Sequence, residues 1–75
     1  MTANVGDTII FSWYGWHNVY LMPSQTAMDN CDFSGATEEG TSSPVTFTIT
    51  SLPVYFACAV AQHCTSGQYM NVTQA

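Results

Sequence analysis

The sequence predicts an all-β fold, an antiparallel β-sandwich, and three observations carry that prediction. Two runs alternate apolar and polar residues with a period of two, at Val5–Trp13 and again at Val45–Leu52. Clusters of Gly, Pro, Asn, Asp and Ser punctuate the chain between such runs, as turns between short strands require. Helical spacing is confined to one place, Ser24–Asn30, where one or two turns are the most the residues allow.

In chain order, Gly6 and Asp7 form a turn within the first run, in which Val5, Ile9, Phe11 and Trp13 share one face and Thr8, Ile10 and Ser12 the other. Gly15 then marks a bend into a second strand, His17–Met22, which Pro23 ends; His17 shares parity with Val19 and Leu21 and is expected to point inward. Ser24 suits the N-cap of the short helix, which Asp29, Asn30 and Gly35 close off. Asp32–Pro44 carries loop chemistry throughout. Val45–Leu52 sets Val45, Phe47 and Ile49 against an outer row of threonines, as in a strand with one solvated face. Pro53 opens a strand in which Val54, Phe56 and Cys58 share one face, and Gln68–Thr73 forms a last strand with Gln68, Met70 and Val72 inward. Five strands and a helical insert, with no internal repeat, make the expected sandwich.

Composition bounds the function. The chain has 75 residues, no Lys or Arg, five acidic residues and a net charge of −5, so it offers no basic surface to nucleic acid. No apolar run approaches the length that spans a bilayer. MTANVGDT has neither a basic start nor an apolar core, so a mature form, or a fragment whose targeting elements lie elsewhere, is expected. A single domain this small needs a cross-link to supplement a marginal core. Three cysteines provide one candidate staple and leave one over, which calls for an intermolecular bond, a reactive thiol or a metal.

The stretch Tyr55–Met70, YFACAVAQHCTSGQYM, places Cys58, His63 and Gln68 at equal intervals on one loop. Thiolate, imidazole and a weak oxygen donor are three of the four ligands of an electron-transfer copper site, which binds two His and one Cys in a plane and a weak group on the axis. The only other histidine is His17. Each residue alone has an ordinary reading: His17 as a hydrogen-bonded histidine, Cys58 as a small buried hydrophobe, Gln68 as a polar residue at a strand entrance. Met70 competes with Gln68 for the axial role, and Cys64 beside His63 also suits zinc.

VGDTIIF, HNVY, the isolated Cys31 and YFACAVAQHCTSGQ together resemble the phytocyanins, the plant-type branch of the blue copper proteins or cupredoxins, over Val5–Val72. The resemblance implies a cupredoxin-like antiparallel Greek-key β-sandwich and one type 1 copper, with His17, Cys58 and His63 as ligands. It also implies a Cys31–Cys64 disulfide and an axial Gln68, the choice of the stellacyanin-like branch. Zinc is disfavoured because it would take Cys31 or Cys64 as a thiolate and remove the staple. The chain starts just before the VGD turn, so 1–75 is expected to be a single, truncated phytocyanin-like domain lacking N-terminal strands. Its exposed sheet edge invites another chain to complete it.

The function expected on this basis is single-electron transfer between redox protein partners, not enzymatic catalysis, since three strong ligands leave no position for substrate. The alternative is a structural or assembly module that retains the fold. A disulfide implies an extracytoplasmic setting, whether secreted, cell-surface, periplasmic or lumenal. Asn71-Val72-Thr73 is an N-glycosylation sequon.

Overall fold

The structure, a computed structural model, describes residues 1–75. Strands β1 (Thr2–Ala3), β2 (Thr8–Phe11) and β3 (Val19–Met22) precede the helix α1 (Gln25–Asp29), and β4 (Thr37–Gly40), β5 (Val45–Thr48), β6 (Val54–Ala57) and β7 (Tyr69–Gln74) follow it. They form a five-stranded sheet in the order β1-β7-β6-β3-β4 and a two-stranded sheet, β2-β5. The all-β sandwich therefore stands, with seven strands in place of five. All pairings are antiparallel except β1 with β7.

Two apolar clusters flank the large sheet. Ile9, Val45 and Ile49 from the small sheet meet Val19, Val54, Phe56 and Val72 from the large one. Phe56 takes both Phe11 and Phe47 edge-on across the gap, at centroid distances of 4.9 and 5.0 Å. Ile49 and Val72 are fully buried, and each such side chain contributes about 1.5–3 kcal/mol relative to exposure. On the other face, Met22 and Ala57 pack against Met28 of the helix and Cys64. Both faces of β6 are thus covered, which explains its nearly unbroken apolar sequence.

Several sequence expectations change. Asp32–Pro44 is not all loop, because Thr37–Gly40 pairs with β3. TEEG lacks apolar alternation since it is an outer strand held by backbone bonds rather than by buried side chains. Val5 is 57% exposed and lies in a turn, not a strand; Asp7 N–H donates to the Asn4 carbonyl, and the Asn4 N–H to the Asp7 carboxylate. Strand β3 begins at Val19 rather than His17, with an irregular register between Val19 and Tyr20. The fifth ends at Thr48, although Ile49 extends its pairing through bonds to Gly6 and Asp7. Gln68 precedes the last strand and is exposed instead of facing the core.

The helix starts as expected, with the Ser24 hydroxyl accepting the Ala27 N–H. Its end is set by Cys31, which takes φ +50° while its N–H donates to Met28 and that of Asp32 to Ala27, the two bonds of a Schellman cap. Asp32 then accepts from both the N–H and the hydroxyl of Ser34, and these bonds hold its carboxyl below the usual carboxylate pKa. Cys31 is joined to Cys64, with 5.9 Å between the Cα atoms. No helix is long and apolar enough to cross a membrane.

Candidate metal centre

Three chain segments meet at one end of the sandwich. Cys58 directly follows β6; it is the only free cysteine and is 3% exposed. Its N–H donates to the Gln68 carbonyl at 3.1 Å, which closes the base of the loop between β6 and β7. Within that loop His63 N–H donates to Val60, Gly67 N–H to Cys64 and Gln68 N–H to the His63 carbonyl, so the segment is folded on itself. The disulfide then anchors Cys64, the neighbour of His63, to the end of the helix.

His17 comes from the segment before β3, after a bend at Gly15, whose φ of +84° suits glycine. Asn18 accepts the Ala59 N–H at 2.7 Å and ties this segment to the residue after Cys58. Sequence reasoning missed Asn18. The available signal was an amide inside a strand-like apolar run, where Asn is disfavoured unless its side chain has a partner.

His17, Cys58 and His63 bring one donor atom each into a group whose members lie within 4.8 Å of one another. The Cys58 sulfur is 3.4 Å from His63 Nδ1 and 3.9 Å from His17 Nδ1. Bond lengths of about 2.3 Å to sulfur and about 2.0 Å to imidazole, as found for zinc, place S and N about 3.7 Å apart at trigonal angles. The observed distances bracket that value, so the three donors fit one first-row metal ion. Donor chemistry narrows the choice: two imidazoles and one thiolate suit copper, and the other two cysteines are consumed in the disulfide.

Gln68 Oε1 lies 3.0 Å from His17 Nδ1, beside this group. Met70 instead pairs with Phe56 and packs against the inter-sheet core. The two imidazoles are half-buried, with ring centroids 4.7 Å apart. Trp16, Val60 and Ala61 border a shallow depression that both rings reach. Tyr14 and Trp16 are 97% and 79% exposed. Ala59, by contrast, is half-buried, and its N–H donates to Asn18.

A two-sheet β-sandwich carrying a His-Cys-His group at one end defines a cupredoxin. The chain belongs to the plastocyanin-like domain family, whose profile matches residues 1–68, and within it to the phytocyanins. It is 32% identical over 73 residues to a blue copper protein of Arabidopsis thaliana, covering 96% of this chain and 37% of the relative. It is also 32% identical over 74 residues to cucumber peeling cupredoxin of Cucumis sativus, covering 95% of this chain and 54% of the relative. The chain thus spans between about a third and about half of these relatives' lengths. Among solved structures, cucumber stellacyanin with Cu2+ superposes with a TM-score of 0.84 at 32% identity, over 100% of this chain and 73% of that one. Family and site together fit a blue copper protein with one copper-binding site at His17, Cys58 and His63.

Proposed function

We propose that this chain carries single electrons between redox protein partners, and that His17 Nδ1, Cys58 Sγ and His63 Nδ1 would hold one copper, with Gln68 Oε1 as a weak fourth donor. The observation that supports it is the convergence of the only two histidines and the only free cysteine. Bound copper supplies a one-electron couple, and a set of one thiolate, two imidazoles and a weak axial donor suits both oxidation states.

The protein's part is to hold the donors still. Cys58 is fixed by the end of β6 and by its bond to Gln68, His63 by the disulfide-anchored loop, and His17 by the tie from Asn18 to Ala59. Donors placed in this way need little rearrangement when an electron arrives or leaves. Three strong ligands leave no position for substrate, so the reading is of a carrier and not an enzyme. Partners dock where Trp16, Val60 and Ala61 frame the histidine edges. The disulfide supports an extracytoplasmic location, and exposed Asn71 is the proposed glycan acceptor.

The test is the visible spectrum after addition of copper(II). An intense blue to green thiolate-to-copper band that bleaches with a mild reductant is expected, and Cys58→Ser abolishes it. A colourless protein that retains stoichiometric zinc overturns electron transfer in favour of a structural module.

A further inference from the structure

The helix covers only part of the outer face of the large sheet. Met22 of β3 and Ala57 of β6 lie in one cluster with Met28 of the helix, and Tyr55 packs against that cluster. Beyond Tyr55 the face continues onto β7, from which no residue joins the cluster. Met70 and Val72 of β7 belong to the inter-sheet core, so Tyr69, Asn71 and Thr73 project the other way. The register sets Asn71 directly opposite Tyr55. Asn71 and Thr73 are exposed, Tyr69 is 49% exposed, and Tyr55 is half-buried.

Asn71 therefore stands beside two aromatic residues on one face. Cβ atoms directly opposite in an antiparallel pair are about 4.5–5.5 Å apart, and alternate residues of one strand about 7 Å apart. Outside the sheet ladder Asn71 bonds only through its backbone carbonyl, which leaves its side-chain amide free.

On the reading that Asn71 accepts an N-linked glycan, we infer that the first sugar of that glycan is seated on the Tyr55 ring, flanked by Tyr69, and closes the part of the outer face that the helix leaves open. A sequon defines only the acceptor; the seat is a further property of this strand pair. A pyranose carries a patch of C–H groups on one face, whose slight positive charge suits the negative face of an aromatic ring. Tyr55 is already held against the cluster beneath the helix, so little freedom is lost when a sugar settles on it. Attachment exchanges one amide N–H of Asn71 for a bond to the anomeric carbon of the sugar. The donor is an oligosaccharide on a polyprenyl diphosphate, the diphosphate leaves, and the amide proton passes to a base of the transferase.

The test compares the chain secreted by a eukaryotic host with the same chain exported to the periplasm of a bacterium that has no N-glycosylation. An endoglycosidase trims the secreted form to its first sugar. One glycan at Asn71 is expected by peptide mass, and the one-sugar form is expected to have a folding equilibrium constant about fivefold higher than the sugar-free form, the scale of one aromatic contact. Tyr55→Thr lowers the stability of both forms but removes most of that fivefold difference, since the double-mutant cycle cancels the cost of the substitution itself. Nuclear Overhauser effects between the sugar C–H protons and the Tyr55 ring give a second readout that needs no variant. Ascorbate is present in that measurement to keep any bound copper diamagnetic. An unmodified Asn71 overturns both the acceptor and the seat. A modified Asn71 without those Overhauser effects, or with an equal stability difference in the Tyr55 and Tyr55→Thr proteins, leaves the acceptor standing and overturns the seat.

Discussion

Asn18 accepts the Ala59 N–H at 2.7 Å, so the residue after one metal-facing histidine holds the residue after the free cysteine. This bond spans 41 positions and joins the segment before β3 to the segment after β6. Asn18→Ala leaves the Ala59 N–H without its acceptor in a part-buried position. The expected loss is about 1–2 kcal/mol of stability, read as a lower urea midpoint. The thiolate-to-copper band survives, because the three donor side chains remain. A variant with wild-type stability shows that water replaces the amide at no cost.

The role of Asn18 illustrates what was legible in the sequence and what was not. His17, Cys58 and His63 could be picked out because histidines and an unpaired cysteine are scarce here, so scarcity substituted for geometry. An asparagine has many possible partners, and only the fold shows that Asn18 faces Ala59. Strands β5 and β6 were visible because they bury side chains, which imposes a pattern on the residues. Strands β1 and β4 were not, because two residues on the sheet edge and the run TEEG are held by backbone pairing that any residue can make. The left-handed turn at Cys31 was hidden for a similar reason: glycine advertises such a position and cysteine does not.

Gln68 and Met70 are separable by potential. The Gln68 oxygen lies 3.0 Å from His17 Nδ1, while Met70 packs into the core opposite Phe56. A thioether favours copper(I) more than an amide oxygen does, so Gln68→Met raises the reduction potential. A rise above about 59 mV, the one-electron equivalent of tenfold in relative affinity, is expected. Met70→Leu shifts it by less. The reverse order in voltammetry of the two variants rejects Gln68 as the axial group.

Tyr20 provides a pH test away from the metal. Its hydroxyl donates to the Glu38 carboxylate at 3.1 Å, and that bond, with some desolvation and the carboxylate's charge, raises the phenol pKa above 10.0. A raised folded-state pKa means that the stabilisation is fully present below the unfolded value and is lost as pH rises through the folded one. Wild type should therefore lose stability relative to Tyr20→Phe above about pH 10. Urea midpoints of the two proteins across that range check it; parallel curves remove the bond from the account.

The disulfide is attached at a position where a side chain is disfavoured. Cys31 occupies the left-handed residue of the Schellman cap, φ +50°, and carries the bond to Cys64 across 33 positions. A non-glycine residue in that conformation costs about 1 kcal/mol. In the chain-entropy model, closing a loop of this length contributes about 4 kcal/mol, which outweighs that cost. It is also comparable to the whole stability of about 3–5 kcal/mol expected of so small a core. Two double variants separate the effects, measured with sucrose present to keep both folded. Cys31→Ala with Cys64→Ala loses the cross-link and keeps the left-handed strain; Cys31→Gly with Cys64→Ala loses the cross-link and relieves the strain. The glycine variant is expected to be more stable by about 0.5–1 kcal/mol, even though glycine gives the unfolded chain more freedom. Equal stability, or a more stable alanine variant, means that the cap relaxes once the disulfide is gone, so that the bond itself holds Cys31 in the left-handed conformation.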